Sequence, residues 1–295
     1  MKMKHLVAIG FGYSAERLAR ELAGQCWTIT GTSRSEAGAA AIRAAGFNGL
    51  VFEGAAANDS AAVKAALETV THLLVSAPPG ASGCPVLAAL GDRLAAAPAL
   101  EWVGYFSTVG VYGDQAGGWV DEESPAEPTS ERGRRRLAAE RLWAEFGMAT
   151  GVAASALRLP GIYGPGRSAF ERIRAGDARR IIKPGQVFNR IHVDDIAGAV
   201  AHLIGAAGKS PPPIAVNITD DLPAPPEDVI AHAAGLLGVA PPPEVAFEMA
   251  DLSEMARSFY SENKRVSNKL LCKGLGYRLK YPTYREGLAA ILRAS

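Results

Sequence analysis

Cysteine is scarce in this chain and badly placed for pairing. Its three cysteines, Cys26, Cys84 and Cys272, are odd in number, far apart and not at a metal-ligand spacing. Neither a disulfide framework nor a metal site is expected, and the thiols read as reduced and mostly structural, as in a cytoplasmic protein. An excess of charge is missing too. The formal net charge is +1, which gives no global reason to expect nucleic acid or an acidic membrane as a partner. No apolar run approaches the length of a membrane span. Met1-Lys2-Met3-Lys4 has the charge of a signal-peptide start, but the apolar stretch after it is too short and leads straight into a glycine turn. No fixed-period repeat is visible. The expectation is a soluble, cytoplasmic protein. With 295 residues, 48% of them hydrophobic and 21% charged, the chain can bury a substantial core as one large domain or two unequal ones.

What is present begins at His5. His5-Leu6-Val7-Ala8-Ile9 reads as a buried strand, and Gly10-Phe11-Gly12-Tyr13-Ser14-Ala15 as a tight turn entering a helix with apolar residues at Ala15, Leu18, Ala19 and Leu22. Strand, Gly-x-Gly-x-x-Ala and helix in this order form a dinucleotide-binding fingerprint. Gly10 permits the sharp turn, Gly12 lets the backbone approach a pyrophosphate, and Ala15 lets the helix pack close. The helix N-terminus, with its orphan N–H groups and positive dipole end, receives the phosphates.

Strands and helices then alternate, which predicts right-handed βαβ units and a parallel sheet. Strands are expected at 27–32, 49–53, 72–76, 101–108 and 153–159, with helices at 36–45, 60–69, 85–97 and 131–145 between them. The second strand ends in Gly31-Thr32-Ser33-Arg34-Ser35, with no carboxylate before Glu36. An NAD site places Asp or Glu there for the ribose hydroxyls. Arg34 instead presents a planar fork suited to a 2′-phosphate, with Ser33 or Ser35 adding hydroxyls. NADP(H) is therefore expected over NAD(H), the plainer alternative being that Arg34 is a solvated loop charge.

Further motifs follow in order. Tyr105-Phe106-Ser107-Thr108-Val109-Gly110-Val111-Tyr112-Gly113 ends a buried strand, where open α/β sheets bind ligands. The helix Arg132-Gly133-Arg134-Arg135-Arg136-Leu137-Ala138-Ala139-Glu140, then Leu157-Arg158-Leu159-Pro160-Gly161-Ile162-Tyr163-Gly164-Pro165, and finally Asn189-Arg190-Ile191-His192-Val193-Asp194-Asp195 complete the series. Together they resemble the extended short-chain dehydrogenase/reductases, the NAD-dependent epimerase/dehydratase family, over about residues 5 to 205. The resemblance implies a doubly wound Rossmann sheet over residues 1–163, with return segments at 189–220. It also implies a smaller substrate-binding lobe from 164–188 and 221–295. Gly10, Phe11, Gly12, Tyr13, Ser14, Ala15, Ser33, Arg34, Ser76, Ala77, Pro78, Ser107 and Arg136 would meet the cofactor. Thr108, Arg132, Asn189 and Arg265 would meet a small-molecule substrate. Members often dimerise through Rossmann-domain helices, so a homodimer stays open, with no residue here specifying the interface.

The chain also departs from the family pattern. The family's acid/base is a tyrosine in Tyr-x-x-x-Lys, and here Arg132 takes the Tyr position and Arg136 the Lys position. Arg136 could bind the nicotinamide ribose, but a guanidinium stays protonated and Arg132 is a poor proton shuttle. Thr108 keeps the Ser/Thr position. Tyr163 and His192 are the candidate replacement acids, although each also reads as a packing residue. Val109-Gly110 stand where the sugar dehydratases carry an acidic pair, so dehydration is not expected. The extended members' additional glycine is replaced by Ile9.

In the last third, residues 170–180 read as a basic helical segment and 195–205 as a helix, with a strand at 214–218. The proline clusters 211–213, 223–226 and 241–243 read as loop punctuation. A helix is expected from Ser261 through Leu271, and a final one opens near Tyr284. Two functions stay in view. One is an NADP(H)-dependent oxidoreductase or epimerase-like enzyme acting on a small polar, anionic or nucleotide-sugar-like substrate. The other is an inactive NADP(H)-binding sensor or assembly protein.

Overall fold

The computed structural model describes residues 3–24, 26–54, 61–206 and 212–295. In chain order its first elements are β1 (Lys4–Ile9), α1 (Tyr13–Leu22), β2 (Trp27–Ser33), α2 (Glu36–Ala44), β3 (Asn48–Val51), α3 (Ala61–Glu68), β4 (His72–Val75) and α4 (Pro85–Ala95). Next come β5 (Trp102–Thr108), β6 (Trp119–Val120), α5 (Glu131–Thr150), β7 (Ala153–Leu159), β8 (Gly161–Tyr163), α6 (Ala169–Arg174), β9 (Arg180–Ile182) and β10 (Arg190–His192). The last are α7 (Val193–Ala206), β11 (Ala215–Asn217), α8 (Pro226–Leu236), β12 (Glu244–Ala246), α9 (Glu254–Phe259), β13 (Arg265–Val266) and α10 (Tyr284–Arg293).

The chain divides into two compact units. The first holds residues 1–108, 131–158 and 196–216, and the second 109–130, 159–195 and 217–295. The first is built on a seven-stranded parallel sheet in the order β11-β7-β5-β4-β1-β2-β3. Its direction of winding reverses between β1 and β4, which places the glycine turn after β1 at the switch point where such sheets take ligands. Alternation of strand and helix was legible because strands buried on both faces are nearly continuous apolar runs. Val7, Leu73 and Val103 of the strands pack with Leu67, Leu90 and Trp143 of the helices in one core. Ser35 caps α2, its hydroxyl accepting the Gly38 N–H at 3.2 Å.

The second unit carries three two-stranded parallel pairs, β10–β8, β12–β9 and β13–β6. Its core joins Tyr163 and Phe170 to Ala233 of α8 and to Tyr284, Leu288 and Ile291 of α10. Ser168 with Glu171, and Thr283 with Glu286, form capping boxes at the starts of α6 and α10, each satisfying two orphan donors.

Several expectations are corrected. The second unit begins at Val109 rather than after Tyr163, because Trp119–Val120 pair with Arg265–Val266. The basic helix stops at Arg174. The chain turns at Gly176, where φ is +75°, and Arg180 opens a strand held by Glu244–Ala246. No helix starts at Ser261; β13 lies there, followed by a π-helical turn over Leu270–Gly274. Pro226 starts α8 instead of marking a loop, as its fixed φ allows at a first helical position. The expected helix start at Ser60, and Pro211, lie outside the described residues.

Candidate functional site

The glycine turn is shaped by contacts a side chain would destroy. Gly10 has φ +89°, and a Cβ there would sit 3.1 Å from the Ala77 nitrogen. That close approach brings Ser76 and Ala77 beside the turn, their N–H groups donating to the Ile9 carbonyl at 2.9 and 3.1 Å. Thr32 is a residue that pattern reading missed. Its hydroxyl accepts the Gly10 N–H at 3.0 Å and its carbonyl the Phe11 N–H at 2.8 Å. The Phe11 ring lies against Gly31, where a Cβ would overlap it, and 5.5 Å from the Phe47 ring. The backbone N–H of Phe11 is thus committed to β2. At Gly12 a Cβ would meet nothing within 4 Å, and no side chain caps α1. Tyr13 and Ser14 open that helix, and Ala15 is fully buried beneath it. An uncapped helix start behind an open glycine fits a dinucleotide pyrophosphate.

At the end of β2, Arg34 is exposed and has no ion pair among the described residues. Glu36 is bound by Arg43. Ser33 lies against Gly38, and its hydroxyl faces the Ser35 N–H at 3.4 Å. Pro78 follows Ala77 in the loop after β4.

Thr108 closes β5, half-buried. The side chain of its neighbour Ser107 is turned to a buried acid. The Ser107 hydroxyl donates to the Glu140 carboxylate, which also receives Arg158 at 2.8 and 3.2 Å, all three side chains being buried. The Ser107 hydroxyl is thus spent on a sealed ion pair. Arg136 is drawn the same way. Its Nη1 donates to the Phe106 carbonyl at 2.6 Å and the Tyr105 phenol at 3.2 Å. Burial pushes the Tyr105 phenol up to about 12 despite the guanidinium. Arg132 is exposed at the start of α5, and Arg134 and Arg135 both reach Glu131, at 3.2 and 2.8 Å. The signal for the missed pair was Arg158, a charge amid an apolar strand.

In the second unit, the Tyr163 phenol is buried and donates to the Thr283 carbonyl at 3.4 Å. Burial, then the nearby Asp220 and Asp195, raise it above its ordinary range. The His192 ring is buried, edge-on to Tyr163 and Tyr281, its Nδ1 accepting the Asp194 N–H at 3.1 Å. Asn189 spends both ends of its amide on β13 and the residue before it, donating to the Lys264 carbonyl at 3.0 Å and accepting the Val266 N–H at 2.8 Å. Arg265 donates to the Gly117 carbonyl. Asp195, also unforeseen, is fully partnered by the Tyr277 hydroxyl and by the Lys280 and Tyr281 N–H groups at 2.6–3.0 Å. Among the described residues no helix is long and apolar enough to cross a membrane, and no group of three His, Cys, Asp or Glu could hold a metal ion.

Residues 6–219 match the NAD dependent epimerase/dehydratase family. Protein YeeZ of Escherichia coli K12 is 29% identical over 211 residues, 69% of this chain and 74% of its own. A solved structure of a conserved protein of unknown function from Silicibacter pomeroyi is 49% identical with a TM-score of 0.88, covering 99% of both chains. The UDP-glucuronic acid 4-epimerase of Bacillus cereus, solved in complex with NAD, shares the fold at 16% identity, TM-score 0.77, over 98% of this chain and 96% of its own.

Proposed function

The chain belongs to the NAD dependent epimerase/dehydratase family, and on that footing we propose that it is an NADP(H)-dependent oxidoreductase or epimerase-like enzyme acting on a small polar, anionic substrate. One observation carries the cofactor choice: at the end of β2 the exposed guanidinium of Arg34 stands unpaired among the described residues, while the first carboxylate, Glu36, is taken by Arg43. A fork of donors there suits a 2′-phosphate and offers nothing to a ribose diol that wants a carboxylate. Gly10, Gly12 and the start of α1 would hold the pyrophosphate. The nicotinamide, when bound, supplies or accepts a hydride. Thr108 orients the reacting oxygen with its hydroxyl, and Arg132 attracts the substrate's anionic group without moving a proton. Tyr163 and Asn189 serve as framework in this reading, since their polar atoms are engaged within their own unit, and so does His192, whose ring packs between Tyr163 and Tyr281 with Nδ1 bonded to the Asp194 N–H.

The arginine at the family's tyrosine position, with Arg136 turned onto β5, favours a second reading: an NADP(H)-binding protein without turnover. Titration with NADPH and with NADH, followed by cofactor fluorescence, tests the shared premise. Tight NADPH binding that is lost in Arg34→Ala is the expected result, and binding of neither nucleotide by folded protein overturns both readings. Substrate-dependent NADPH oxidation abolished by Thr108→Ala separates enzyme from sensor, and Arg132→Tyr shows whether a phenol raises the rate.

A further inference from the structure

We infer that Arg43 is a specificity-determining residue for the cofactor: by holding the Glu36 carboxylate it keeps the β2–α2 corner fit for a 2′-phosphate. This rests on the NADP(H) reading. Arg34 and Glu36 are two residues apart, so their Cα atoms lie within about 7 Å of each other. Glu36 is the first residue of α2 and the only acidic one in its first turn, a place the helix dipole favours for a carboxylate. A bare carboxylate at that range would weaken phosphate binding by about threefold per unit of phosphate charge in low salt.

Arg43 answers that charge from two turns further along α2, and it is held in place to do so. One guanidinium nitrogen binds Glu36 and another donates to the Gly49 carbonyl of β3 at 2.7 Å. Gly49 is itself pressed onto the helix: a Cβ there would run into the Ala39 carbonyl and come within 3.1 Å of the Arg43 Cγ. The close seating of α2 on β3 fixes the arginine stem, so its fork meets Glu36 with less entropy lost than a free surface side chain would incur. The pair is solvent-facing, and its effect must fade with salt.

The test compares Kd for NADPH and NADH in the full-length protein and in Arg43→Met, Glu36→Gln and the double variant, at low and high ionic strength. Arg43→Met should raise the NADPH Kd about five- to tenfold in low salt, leave NADH within about twofold, and lose most of its effect in ~0.5 M salt. Adding Glu36→Gln should restore NADPH binding. Equal weakening of both nucleotides, or no recovery in the double variant, overturns the inference. A wild-type protein with no NADPH preference is instead the failure of the NADP(H) reading. A preference lost in Arg34→Ala but unmoved in Arg43→Met is the failure of this inference alone.

Discussion

Glu140 in the sheet unit and Asp220 in the other are both sealed from solvent, at 6% and 1% exposure, yet they are kept there by different means. Glu140 has its carboxylate bracketed by Ser107 and Arg158, so its burial is matched by charge and hydrogen bonds. Among the described residues Asp220 accepts only the Leu222 N–H, at 3.1 Å, and its other oxygen has no partner. Burial accordingly pushes the Asp220 carboxyl up to about 8: the second unit tolerates this acid by keeping it neutral. The difference teaches that a buried acid can be matched by a base or relieved by a proton.

The comparison breaks most visibly at Arg158. Arg158→Met should cost about 3–5 kcal/mol by leaving Glu140 buried without its cation; urea unfolding of that variant beside Glu140→Leu/Arg158→Met should show the pair of changes costing much less than the single one. His72 comes next. Burial lowers its pKa to about 4 from 6.5, so between those values the unfolded chain binds more protons and stability rises with pH. That contribution is worth about 3 kcal/mol, and His72→Gln should remove it, leaving the opposing contribution of Asp220 to lower stability as pH rises across the same interval. Asp220 has the opposite sign. The native acid holds its proton up to about pH 8, whereas the unfolded one ionises near 3.8, so stability falls as pH rises across that interval. Above pH 6.5 the His72 contribution is complete, and the remaining loss of about 2 kcal/mol by pH 8 should vanish in Asp220→Asn. The smallest effects should not tell the units apart. Ser35→Ala and Thr283→Ala each remove one helix cap and should cost about 1 kcal/mol alike, which chemical denaturation would show.

Legibility of the sequence divides along similar lines. Strands of the sheet are long apolar runs, and Gly10 through Ala15 sit where a strand meets a helix, so the nucleotide-binding half could be read directly. Two- and three-residue strands such as Arg180–Ile182 and Arg265–Val266 exist because distant segments pair with them, and no local pattern announces a partner 62 or 148 residues away. Side-chain direction was equally hidden. Ser107 and Arg136 stand at family positions, yet a buried glutamate and a strand carbonyl claim them. The carboxylate missing before Glu36 was visible in the chain; the arginine that neutralises Glu36 was not.

The order of the sheet has a meaning for synthesis. Five adjacent strands, β3 to β5, are complete once Thr108 has been made, but β7 and β11 are added to the same side only after residues 159 and 217. On the ribosome, β5 therefore spends that interval as an open edge, its backbone N–H and C=O groups unpaired and its buried face uncovered. The growing chain is most vulnerable to aggregation while this one edge waits.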